Sequence, residues 1–97
     1  MELYEVKNGL ERARLLLNEL FVSIDIEGLK REIEGLTVQT LDEHFWNNQE
    51  QAKKIYNQLN EMKKTTDTYD DLVSSLNDLD ETYDYVKETE DTDVKEA

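Results

Sequence analysis

Ninety-seven residues, 37% apolar and 36% charged, suffice for one small domain over 1–97 with a narrow core, and exclude two. The absence of cysteine excludes disulfides and thiolate zinc sites, and the lack of any long apolar run excludes a membrane span. With a net charge of -13, no proline and only three glycines, the residues of tight turns are scarce, and an all-α, soluble, cytoplasmic protein is expected.

The first helix is predicted over about residues 2–22. Leu3, Val6, Leu10, Ala13, Leu17, Leu20 and Ile24 alternate spacings of three and four, which sets all seven on one helical face. Leu15, Leu16 and Phe21 widen that stripe, so the helix is expected to bury against more than one neighbour. A second, short helix is predicted over 26–37, capped by Ser23 or Asp25, with Glu27 in its first turn and Ile26, Leu29, Ile33 and Leu36 as its apolar row. Gly35 and the β-branched Thr37, Val38 and Thr40 predict its end near residue 37.

The third helix is predicted from about 48 to 88. Asn47 and Glu50 have the spacing of a capping box at its start, and Phe45 and Trp46 are expected to tuck back onto the first two helices. Its apolar row runs Ala52, Ile55, Leu59, Met62, Thr66, Tyr69, Leu72, Leu76, Leu79, Tyr83, Val86, with two successive threes at Thr66–Tyr69–Leu72. Thr65, Thr66 and Thr68 weaken the helix there, but with neither glycine nor proline one continuous helix is favoured over a break. Such a helix is roughly 60 Å long, about twice the length of the first. The seam Tyr69, Leu72, Leu76, Leu79, Tyr83 and Val86 therefore lacks a full partner in this chain, which predicts self-association or a further helix beyond Ala97. Residues 89–97 lose the row and read as a frayed end, with Asp91 or Thr92 placed to cap a further helix. The architecture expected is an antiparallel, coiled-coil-like bundle of two shorter helices on one long one.

Charge is uneven along the chain. Residues 1–66 carry 12 acids and nine bases, whereas residues 67–97 carry 12 acids against Lys87 and Lys95 alone. Phosphate backbones are repelled by such a stretch, so direct nucleic-acid binding is not expected and basic protein surfaces are the natural partners. No constellation for catalysis or cofactor binding emerges. His44 is the only histidine and lacks companions for a metal site. Asp78 and Asp80 alternate as in a calcium loop, but the loop glycine is missing and Thr89 stands where a glutamate is needed. Ser74 and Ser75 sit in a helical seam without a nucleophile elbow, and the tyrosines Tyr56, Tyr69, Tyr83 and Tyr85 lack interleaved bases. The residues alone describe a non-catalytic helical interaction module.

Ser23-Ile24-Asp25, then Phe45-Trp46-Asn47-Asn48 with Ala52 six residues after the tryptophan, then Leu59 to Lys63, resemble the amino-terminal domain of the bacterial peptide chain release factor 2 family. The opening residues are similar too, so the resemblance spans nearly the whole chain. It departs at Phe21-Val22, where the family has Arg-Gly, and at Glu43-His44, where it has Pro-Asp. The family's Gly-Gly-Gln and Ser-Pro-Phe motifs are absent from this stretch, which holds no proline and no adjacent glycines. The resemblance implies a first domain of a longer factor, non-enzymatic by itself, that docks on a basic ribosomal protein surface near the stalk base during translation termination. The alternative is a stand-alone acidic helical oligomerisation or regulatory protein.

Overall fold

A computed structural model describes the backbone of residues 2–96 and the side chains as far as Asp91. It contains α1 (Leu3–Ser23), α2 (Ile26–Thr40) and α3 (Gln49–Glu96), with a 3-10 turn at Phe45–Asn47 before the last. The all-α class read from the sequence is the observed one, with no strand among the described residues.

The helix ends differ from the sequence reading in instructive ways. α2 runs three residues past the predicted stop, and the Thr37 and Thr40 hydroxyls donate to the carbonyl oxygens of Ile33 and Thr37, each at 2.6 Å. α3 continues to Glu96 instead of ending near 88, because no glycine or proline stands there to stop it. The segment expected to fray from residue 89 therefore prolongs α3, and no new helix starts at Asp91 or Thr92; Ala97 lies outside the described residues. At the threonine-rich stretch α3 is unbroken. Thr65, Thr66 and Thr68 turn their hydroxyls onto the carbonyls of Glu61, Lys63 and Lys64, so none competes for a backbone N–H.

Two compact units divide the chain, one from residues 1–19 and 71–97, the other from residues 20–70. In the first unit α1 and α3 run antiparallel. Arg14 reaches Asn77 and Asp80, while Lys7 and Leu10, earlier in α1, stand with Tyr83 and Asp84, later in α3. Leu17 and Leu76 form the buried centre, at 8% and 5% exposure, among half-buried Leu3, Val6, Leu10, Ala13, Val73 and Tyr83.

The second unit is built on Ile26, which is wholly buried, and on Ala52, Leu59 and Thr66. Burying Ile26 contributes about 1.5–3 kcal/mol. Phe21 packs on Tyr69 with ring centroids 5.9 Å apart, and Lys30 pairs with Asp70 at 3.0 Å. The turn from α1 into α2 rests on Asp25. It takes the left-handed conformation (φ 55, ψ 60), which ends α1, and its carboxylate accepts the Gly28 N–H at 3.1 Å, which starts α2. Of the two expected caps, Asp25 is the one used.

The start of α3 corrects two expectations. Its cap is Asn48, one residue later than predicted, whose side chain accepts the Gln51 N–H at 3.1 Å. Asn47 closes the 3-10 turn instead, with its amide 3.2 Å from His44 Nδ1. Trp46 does not tuck into a core: it is 55% exposed, edge-on to Phe45 at 4.9 Å and tilted on Tyr56 at 6.0 Å. The turn ends in an extended residue, Asn48, and presents the indole along the outside of α3.

Candidate interaction surfaces

Burial along α3 follows a row different from the one drawn through its leucines. Ala52, Ile55, Leu59, Met62, Thr66, Tyr69, Val73, Leu76, Asp80 and Tyr83 are buried or half-buried, and their spacings alternate three and four without a skip. Val73 and Asp80 take the places that the sequence reading gave to Leu72 and Leu79. Asp80 is tolerated in that row because Arg14 pairs with it and Asn77 shares the same guanidinium.

Of the six residues read as a partnerless seam, the structure therefore uses Tyr69, Leu76 and Tyr83 within the chain. Leu72, Leu79 and Val86 remain 48%, 55% and 42% exposed, one heptad apart along one side of α3. With Ala13, Leu16 and Leu17 of α1, Leu72, Leu76 and Leu79 line a shallow groove of about 280 Å³. This unit holds 14 acids and five bases, a net of -9, so the groove is an apolar strip on an acidic body.

The second unit presents two surfaces. A groove of about 720 Å³ lies between α2 and α3, lined by Gly35, Leu36 and Met62 together with the polar Glu32, Gln39, Asn57, Gln58 and Glu61. Trp46 and Tyr56 flank a smaller cleft with Gln49, Lys53 and Asn57. Sequence reasoning passed over both. Gly35 registers in a sequence only as a weak helix former, and Trp46 as a candidate for burial.

No group of three or more metal-ligating side chains occurs among the described residues, and no helix there is long and apolar enough to cross a membrane. His44 is exposed, with Nε2 3.2 Å from Glu43. Of the acids considered in the sequence, Asp80 pairs with Arg14 in a cleft that Lys7, Tyr83 and Asp84 also line.

The PCRF domain family matches residues 29–97. The chain is 30% identical over 95 residues to a peptide chain release factor 2 of Listeria innocua, 32% over 95 to one of Staphylococcus epidermidis and 29% over 96 to one of Staphylococcus aureus. These alignments cover 98%, 98% and 99% of this chain, which spans about a quarter (26%) of the length of each relative. No solved structure matches.

Proposed function

The chain belongs to the PCRF domain family, and from that premise we propose that it serves, without chemistry of its own, as an interaction module of a cytoplasmic translation termination factor. The observation that carries this reading is the similarity to peptide chain release factor 2 along 98% of the chain. The partner surface is a basic protein of the ribosome near its stalk base. A net charge of -13 suits such a surface and opposes direct contact with ribosomal RNA. Cosedimentation with ribosomes, and pull-down of isolated stalk-base proteins, test it. The expected result is retention at low salt that fades as ionic strength rises; no retention at low salt overturns the reading.

A second reading, self-association, is favoured by the exposed row Leu72, Leu79 and Val86; Tyr69, Leu76 and Tyr83, expected in the same seam, are taken up within the chain. Two copies each carrying -13 repel, so association through this apolar row strengthens as salt screens the charge. Sedimentation equilibrium at low and high salt checks this. A monomer at high protein concentration in both removes the self-association reading and leaves the docking reading standing.

A further inference from the structure

Gly35 lies inside α2, with ordinary helical backbone and no positive φ. Glycine in a helix interior is less stable than alanine, so its presence asks for a reason. Packing within the chain gives none, because a Cβ built at Gly35 would meet no atom within 4 Å beyond its chain neighbours and the adjoining backbone of its own helix. What the missing side chain does is leave the α2 backbone bare on the wall of the 720 Å³ groove, which the half-buried Leu36 and Met62 also line.

The lining of that groove includes Glu32 and Glu61, one on each helix. The ion pair described on this unit engages Lys30 with Asp70, and both Glu32 and Glu61 are exposed to solvent. A groove lined by apolar groups and by carboxylates complements a long aliphatic stem that ends in a cation. Arginine fits best, since its planar guanidinium bonds carboxylates through paired N–H groups while its methylenes lie on apolar surface. The unit that holds the groove carries ten acids and six bases, a net of -4, which favours a basic occupant over an acidic one.

We propose that the Gly35 groove receives an arginine side chain presented by a basic segment of a partner protein. This rests on the reading of the chain as a docking module and names the chemistry of one of its contacts.

The test uses the full chain, labelled with ¹⁵N, titrated with a short amphipathic leucine–arginine peptide. A matched peptide carries citrulline, the uncharged isostere, at every arginine. The expected result is chemical-shift change centred on Gly35, Leu36 and Met62, with the citrulline peptide at least tenfold weaker. Glu32→Gln and Glu61→Gln each weaken binding several-fold. Gly35→Leu fills the groove, leaves the helical circular dichroism intact and weakens binding at least tenfold.

Equal affinity for the two peptides, unchanged binding by Gly35→Leu, or shifts confined to Leu16, Leu72 and Leu79 would overturn the proposal. Cosedimentation separates the two levels. Ribosome binding that survives Gly35→Leu sinks the groove and spares the docking reading, whereas a wild-type chain that takes the peptide at Gly35 but ignores ribosomes sinks the docking reading alone.

Discussion

The corner at Asp25 makes a sharp quantitative prediction about Gly28. A Cβ at Gly28 would lie 2.1 Å from Asp25 Oδ2 and 2.7 Å from Cγ, so alanine there must drive the capping carboxylate away. Alanine gains about 1 kcal/mol of helix propensity over glycine. Losing the cap costs about 1 kcal/mol. The two terms offset, and Gly28→Ala is expected to change stability by roughly 0.5 kcal/mol or less on those magnitudes. Asp25→Gly removes the carboxylate, keeps the left-handed backbone without strain, and costs only a few tenths of a kcal/mol. In that background Gly28→Ala has nothing to displace and stabilises by about 1 kcal/mol. The coupling between the two sites is thus about 1 kcal/mol. Gly35→Ala, with open space at its Cβ, gains about 0.5–1 kcal/mol in both backgrounds and serves as the control. Urea or thermal unfolding followed by circular dichroism reads the cycle, with roughly 4–8 °C of Tm per kcal/mol at this chain length. If Gly28→Ala gains as much as Gly35→Ala in the wild-type background, the carboxylate is not where the argument requires it.

Three further outcomes follow from burial and contacts. Leu76→Ala is expected to cost about 2–5 kcal/mol and Leu79→Ala less than about 1, since Leu76 is 5% exposed and Leu79 is 55% exposed; equal losses in urea unfolding would restore the row drawn through the leucines. Trp46→Ala is expected to cost about 1–2 kcal/mol from its two ring contacts, below the 3–5 of a buried indole, with intrinsic fluorescence typical of a wet tryptophan. The Arg14–Asp80 pair has side chains 36% and 42% exposed, so a double-mutant cycle should find at most about 1 kcal/mol, shrinking with salt; a larger, salt-independent coupling would contradict that exposure.

Much of the fold was legible because three-four spacing leaves few alternatives. The α1 row from Leu3 to Leu17, the α2 row, the absence of turn residues and the continuity of α3 could be read from residue type and position. Leu15, Leu16, Leu20 and Ile24, also expected to bury, are instead exposed at 63%, 54%, 39% and 42%. Where the reading failed, the deciding partner was far away in sequence or identical in kind. Asp80 looks like a surface acid until Arg14, 66 residues earlier, is brought beside it, and so Leu79 appeared to own the row. Asn47 and Asn48 are chemically the same cap, and only the intervening 3-10 turn decides between them. Trp46 has a core residue's composition but follows a turn that delivers it outward. The Gly35 groove was not legible, because open space is a property of two helices together and leaves no mark on either one.

The Arg14–Asp80 contact also has a consequence for alignment. A strictly repeating apolar row lets two antiparallel helices slide by a heptad with little loss, and such a row does not choose its own register. Asp80 breaks that degeneracy. Sliding α1 one heptad so that Lys7 faces Asp80 lays the Arg14 guanidinium against Val73, and sliding the other way leaves the carboxylate in the row without its cation. A pair that adds little to stability can in this way act as a key, admitting one alignment of α1 on α3 and rejecting its neighbours.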